Sequence, residues 1–278
     1  MVATPIGNLE DVTIRALKIL EQVSLIAAED TRRTARLLNH FGIATRTISL
    51  HEHNERARAS SLIDRLQRGE SIALVTDAGT PLLSDPGRHL TRQAIAKGFR
   101  VEPIPGPSAL TAALAGSGAV DNEFAFLGFP PNKSAERRRF YERAGSLQMP
   151  FVIFEAPHRV VQSLTDALDV LGDRPVVICR ELTKVHEEFR HETLSGAIQY
   201  FRSKDRIGEL TLVFPRLATE DAPGESEDLS DEEVWNAMQH LIERGSSRRE
   251  AIATLARRAG RSARDIYAAV ERGKARQR

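Results

Sequence analysis

Apolar positions along the first hundred residues switch repeatedly between two spacings. Short, β-branched runs at 24–28, 46–50, 71–75 and 100–104 read as buried strands. Between them, 12–22, 31–41, 55–68 and 86–97 carry apolar residues at helical spacing, as in Leu62, Ile63 and Leu66. This alternation predicts a βαβ series with a mostly parallel sheet, preceded by a short first strand at 2–4. A second α/β series follows from about residue 122, with strands at 124–127, 151–154, 176–179 and 209–213 and helices at 135–144 and 158–171. The end of the chain reads as three helices, 231–244, 247–259 and 262–272. Gly245 and Gly260 serve as stops, and Ser247 and Ser262 as N-caps.

Composition changes this picture little until it is read locally. The 278 residues are 28% charged and 41% hydrophobic with a net charge of +1, which excludes collagen-like and disordered classes. A single cysteine, Cys179, rules out an internal disulfide, and no Cys/His cluster has zinc-ligand spacing. No apolar run reaches the roughly 18 residues of a membrane span, and the start lacks a signal-peptide pattern, so a cytoplasmic protein is expected. The net charge conceals an asymmetry. Residues 219–233 hold eight acidic groups and no basic one, whereas 244–278 hold eleven Lys/Arg against three acidic residues. The expected organisation is an N-terminal α/β domain at 1–120, a second α/β domain at 121–217, an acidic linker at 218–230 and a basic, RNA-binding helical domain at 231–278.

Three Gly/Pro turns follow strands of the first domain at their C-terminal ends: Thr4-Pro5-Ile6-Gly7, Thr76-Asp77-Ala78-Gly79-Thr80-Pro81 and Ile104-Pro105-Gly106-Pro107-Ser108-Ala109. Ligands of open α/β sheets bind outside the carboxyl ends of the strands, so three such turns on one edge predict a cleft. Neither a P-loop nor a complete dinucleotide loop is present, and Gly116-Ser117-Gly118 lacks the flank of one. In Glu29-Asp30-Thr31-Arg32-Arg33, Asp30 reads as an N-cap. Arg32 and Arg33 oppose the helix dipole, which a bound phosphate or carboxylate explains. Lys133 is a further candidate for binding phosphate, and Asp85 with Pro86 reads as a structural helix start. His51 and His53, two apart, suit a cleft rim better than a metal site.

The stretches T-P-I-G-N-L-E-D-V-T, A-A-E-D-T-R-R-T, H-E-H-N-E, L-V-T-D-A-G-T-P-L-L-S-D-P-G, P-I-P-G-P-S-A, F-E-A-P-H-R and R-E-L-T-K run in order from residue 4 to 184, with G-E-L-T-L-V at 208–213. Together they resemble the tetrapyrrole (corrin/porphyrin) methylase superfamily, in the pattern of its RNA-directed members. That resemblance implies S-adenosylmethionine held between two α/β domains, with no metal. It also implies methylation of a cytidine ribose 2′-hydroxyl in the decoding region of small-subunit ribosomal RNA, and a homodimer. By position it assigns Pro5, Asp77, Gly79, Thr80, Ser108 and Ala109 to the cofactor from the first domain. Glu155, Leu182 and Glu209 are assigned from the second.

A ribose hydroxyl is a weak nucleophile, so a base, or a cation for the developing alkoxide, assists its methylation. Glu181 is the candidate base and Lys184 the candidate cation, with a structural ion pair between them as the alternative. Two other functions compete. One is a ligand-sensing regulator whose C-terminal helices form a helix-turn-helix; the other is a tetrapyrrole-type methylase with a small-molecule substrate. The 5% aromatic content disfavours a porphyrinoid pocket.

Overall fold

The computed structural model describes residues 1–120, 122–203, 208–217, 229–243, 247–259 and 261–276. The chain divides into two compact units, Met1–Arg216 and Leu217–Arg278.

The first lobe of the larger unit runs α1 (Ile14–Gln22), β1 (Leu25–Ala28), α2 (Thr31–His40), β2 (Thr47–Ser49), α3 (Glu55–Gln67), β3 (Ile72–Val75), α4 (Arg88–Ala96) and α5 (Ala109–Ser117). Its strands form a parallel sheet in the order β2-β1-β3. All four residues of β1 are buried, as expected of a central strand covered on both faces. Beyond β3, Val2 donates its N–H to Leu74 O at 2.9 Å and bridges Ile104. The expected strands at 2–4 and 100–104 therefore shrink to single bridges. Pro103 and Pro105 flank Ile104 without an N–H to donate, which stops a ladder there.

The second lobe runs β4 (Ala125–Phe126), α6 (Ser134–Ser146), β5 (Phe151–Glu155), α7 (Val160–Leu171), β6 (Pro175–Arg180), β7 (Glu188–Thr193), α8 (Leu194–Ser203) and β8 (Leu210–Phe214). The sheet order is β4-β5-β8-β6-β7, with β4 parallel to β5 and the remaining pairs antiparallel. Alternation along these strands serves two cores. Phe151, Ile153, Ile178, Leu212 and Phe214 face α6, α7 and α8, whereas Val152, Val177, Cys179 and Val213 face α5 and Ile6. The second core joins the lobes, because Ile6 comes from the first of the Gly/Pro turns. Close approach explains Gly7 as well: a Cβ there would lie 2.9 Å from Leu182 O and 2.5 Å from Lys184 Cγ.

Gly116 and Gly118, whose spacing hints at a nucleotide loop, instead belong to α5 and its end. Gly118 is its left-handed cap (φ 58°), and a Cβ on Gly116 would meet the Phe189 ring at 2.2 Å. The expected cap at Asp85 also moves. The N-cap of α4 is Gly87, at φ 106°, because a left-handed turn precedes the helix, and Asp85 and Pro86 precede that cap in the chain.

In the smaller unit, α9 (Asp231–Glu243), α10 (Arg248–Arg258) and α11 (Ala263–Arg276) enclose Val234, Met238, Ala251, Leu255, Ile266 and Val270. Ser262 Oγ accepts from Asp265 N at 3.2 Å, the expected N-cap. Gly245, Gly260 and residues 218–228 of the acidic segment lie outside the described residues.

Candidate active site

A cleft of about 350 Å³ opens where the C-terminal ends of the first lobe's strands meet the end of β5 and the start of β8. From the first lobe it is lined by Ile6, Glu29, Arg33, the turn from Asp77 to Thr80, the loop from Leu83 to Asp85, Ser108 and Ala109. The second lobe contributes Phe129, the run from Phe154 to Pro157, and Glu209 to Thr211. The turn at Gly79 is pinned to the first strand segment: Thr4 N donates to Gly79 O and Gly79 N to Thr4 O, both at 2.9 Å. At φ 84°, with Ile6 Cγ2 3.3 Å from where a Cβ would stand, Gly79 keeps bare backbone at the cleft wall.

The lining is rich in carboxylates. Glu29 Oε2 accepts from Asp77 N at 3.2 Å, and Asp77 Oδ1 accepts from Asp30 N at 2.9 Å, so the ends of β1 and β3 are laced together. Burial raises the Glu29 carboxyl above its ordinary range, with the Asp77 N–H opposing the rise and the Asp77 charge adding to it. Burial also pushes Asp85 up to about 7, with the Thr76 hydroxyl opposing the rise and the charges of Glu29 and Asp77 adding to it. Glu155 is the most enclosed: its side chain is 0% exposed. Its Oε1 accepts from Ala156 N at 2.8 Å, but its buried Oε2 has no partner. With no accessible surface, that oxygen meets a ligand donor only if the adjacent wall shifts as the cleft fills. The lining thus suits a ligand with positive charge, N–H or O–H donors and an apolar portion for Phe129, Phe154 and Leu83.

Of the residues expected to hold a cofactor, Asp77, Gly79, Thr80, Ser108, Ala109, Glu155 and Glu209 come together in this cleft. Two do not line it. Pro5 borders a smaller adjacent pocket with Arg33 and Arg36, and Leu182 is packed into the core beneath the cleft. Arg33 is in the lining, 3.5 Å from Asp77, whereas Arg32 is outward and pairs with Asp30 at 2.8 Å. The two carboxylates already balance these cations without a phosphate. Asp30 does cap α2, accepting from Arg32 N at 2.8 Å. Lys133 is exposed and pairs with Glu136 at 3.3 Å.

Glu181 and Lys184 form the alternative ion pair, at 2.9 Å, behind the cleft lining; Lys184 also reaches Glu209 at 3.4 Å. Glu181 Oε1 additionally accepts from Glu209 N at 2.9 Å. Burial would raise the Glu181 carboxyl, but Lys184 and the Glu209 N–H outweigh it and hold the group low. A depressed, doubly engaged carboxylate is a poor proton acceptor, so the geometry favours a holding role for Glu181. Glu29, Asp85, Phe129 and Phe154 are cleft residues that sequence reasoning did not select.

The profile of the Tetrapyrrole (Corrin/Porphyrin) Methylases matches residues 1–198. Ribosomal RNA small subunit methyltransferase I of Halalkalibacterium halodurans is 44% identical over 274 residues, covering 96% of this chain and 92% of that protein. The Pseudomonas aeruginosa protein of the same name is 51% identical over 191 residues, covering 68% of each chain. Among solved structures, a diphthine synthase superposes with a TM-score of 0.59 at 15% identity, covering 77% of this chain and 88% of that one, a likeness of fold. With its two α/β lobes, the cleft between them and these relatives, the chain belongs to the tetrapyrrole (corrin/porphyrin) methylase superfamily and, within it, to the ribosomal RNA small subunit methyltransferase I family.

Proposed function

We propose that the cleft binds S-adenosylmethionine and directs its methyl group to the ribose 2′-hydroxyl of a cytidine in the decoding region of small-subunit ribosomal RNA. The observation that carries the cofactor half of this reading is the convergence of the resemblance-assigned residues on a carboxylate-rich cleft with an orphaned acceptor at Glu155. The RNA half is supported by the relatives, which are ribosomal RNA small subunit methyltransferases. They favour this reading over a regulator or a small-molecule methylase.

When bound, the sulfonium supplies an electrophilic methyl group whose leaving group is a neutral thioether. The bare backbone at Gly79 and the Ser108-Ala109 turn position the ligand, and the carboxylates lower the energy of its positive charge. Phe129, Phe154 and Leu83 keep water from the apolar part of the cleft. Lys184, fixed by Glu181 and by the lining residue Glu209, supplies positive charge from behind Glu209 for a developing alkoxide. Arg33 and Lys133 bind the phosphates; both cations are exposed, so their present pairings are cheap to exchange. No metal enters this chemistry, and the enzyme is expected to act in the cytoplasm as a homodimer.

Incubation with methyl-labelled cofactor and unmodified small subunits, followed by nuclease digestion and mass spectrometry, is expected to return a ribose-methylated cytidine. A methylated base with unmodified ribose rejects the assignment. The basic tail is expected to dock RNA through phosphates. Removing residues 229–278 should leave cofactor affinity unchanged, weaken RNA binding, and flatten the plot of log affinity against log salt by about 1 for each phosphate that the tail neutralises. Equal salt slopes for the two proteins would exclude the tail from recognition.

A further inference from the structure

The reaction needs a group to receive the hydroxyl proton, and the carboxylates lining the cleft differ in their capacity to do so. Glu29 and Asp77 are spent on lacing β1 to β3 through backbone N–H groups. Glu155 is fully enclosed and faces Arg159 at 3.5 Å, while Glu209 is 65% exposed beside Lys184. Asp85 is half-buried and lines the cleft from the loop between β3 and α4.

That loop is held in an uncommon shape. Leu82 (φ 75°) and Ser84 (φ 68°) are left-handed without being glycine, a strained shape that persists only where surroundings enforce it. The enforcement is visible on both sides. Gly87 packs so closely on Leu74 that a Cβ would stand 2.4 Å from Leu74 Cδ2, and a Cβ on Gly128 would stand 3.2 Å from Ser84 Oγ. Glu55 Oε1 accepts from Leu90 N at 2.9 Å and anchors the start of α4. A strained loop fixed at its flanks, with a carboxylate in the cleft, is an arrangement kept for chemistry.

We propose that Asp85 is the proton acceptor for the ribose hydroxyl, an inference that rests on the methyl transfer proposed above. The 2′-oxygen forms its bond to the methyl carbon as the carbon–sulfur bond breaks, and that bond's electron pair stays on sulfur as the neutral thioether. The hydroxyl proton passes to an Asp85 oxygen and from there to water. The charged residues that share the cleft lining with Asp85 are Glu29 after β1, Asp77 after β3, Arg33 on α2, Glu155 ending β5 and Glu209 before β8, of which Glu29 and Asp77 act on its carboxyl. Their balance is negative, so they favour proton uptake. From about 7 in the free protein, a sulfonium cation beside the group lowers it.

The test is single-turnover methyl transfer to unmodified small subunits at saturating S-adenosylmethionine, across pH 5.5 to about 9, for the unmutated protein and Asp85→Asn. The unmutated rate should fall as pH drops through the titration of Asp85, because only the ionised form accepts a proton. Asp85→Asn should lose that inflection and fall roughly 100-fold or more, with a much smaller change in cofactor affinity by calorimetry. A variant within roughly 3-fold of the unmutated rate, or one whose loss lies wholly in cofactor affinity, overturns the assignment. Mass spectrometry of the unmutated product separates the two levels: ribose methylation with an unaffected Asp85→Asn refutes only the role of Asp85, whereas base methylation refutes the underlying reading.

Discussion

Arg137→Ala is expected to lower the unfolding free energy of the larger unit by about 3 kcal/mol, the scale for breaking a buried ion pair. Arg137 and Asp166 are 4% and 8% exposed, with Nη2 2.6 Å from Oδ2 and Nε donating at 2.8 Å. The same guanidinium donates to Asn132 O at 2.9 Å and Pro131 O at 3.2 Å, tying α6 to the loop that follows β4. Removing it leaves the Asp166 carboxylate enclosed with only Ser134 and Arg138 as partners. A urea titration should show a lower midpoint at unchanged slope. A loss below about 1 kcal/mol would mean that the remaining partners suffice. Arg137→Met combined with Asp166→Leu should recover most of the loss, since an apolar pair avoids desolvating either charge.

The second large effect is on ligand binding. Glu155→Gln keeps the side chain's shape and can keep its bond from Ala156 N, but it places an amide NH₂ where the orphaned Oε2 stands. If that oxygen accepts from the cofactor, a charge-assisted hydrogen bond is replaced by two opposed donors. S-adenosylmethionine affinity should then fall by roughly 10- to 100-fold in a calorimetric titration, with little change in melting temperature. Affinity within about 2-fold of the unmutated protein would remove Glu155 from the site.

The first lobe is legible in the sequence because each of its strands is an apolar run ending in a turn whose residues are needed for another reason. Asp77, Gly79 and Ser108 can therefore be placed at one edge from the sequence alone. Helix α5 cannot be read that way, since Ala109–Ser117 turns Leu110 and Ala113 to the second sheet while its exposed positions, Thr111, Ala115 and Gly116, carry no charged stripe to reveal its period. Strand β7 is hidden for the opposite reason. It is the sheet's edge, and the charges of Glu188, Arg190 and Glu192 leave Phe189 as its one large apolar residue. Asp85 is disguised because Ser-Asp-Pro-Gly has the composition of a helix start, and only the left-handed Gly87 shows that the helix begins later. Pro5 and Leu182 are assigned by position in a pattern. Leu182 packs in the core beneath the cleft, whereas Pro5 opens on the neighbouring pocket.

The place of β8 bears on how the chain is made. It is the last strand of its sheet in sequence, yet it lies between β5 and β6 and pairs with both. Strands β1, β2 and β3 all lie between residues 25 and 75, so the first lobe can close its sheet early in synthesis, as N-terminal units do. The second lobe cannot. Until residues 210–214 leave the ribosome, β5 and β6 present two unpaired edges across an open slot, with Ile153 and Ile178 exposed beside it. The nascent enzyme is therefore most vulnerable to aggregation during the stretch of translation between β6 and β8. A synthesis pause placed there should lower soluble yield more than the same pause placed after residue 214.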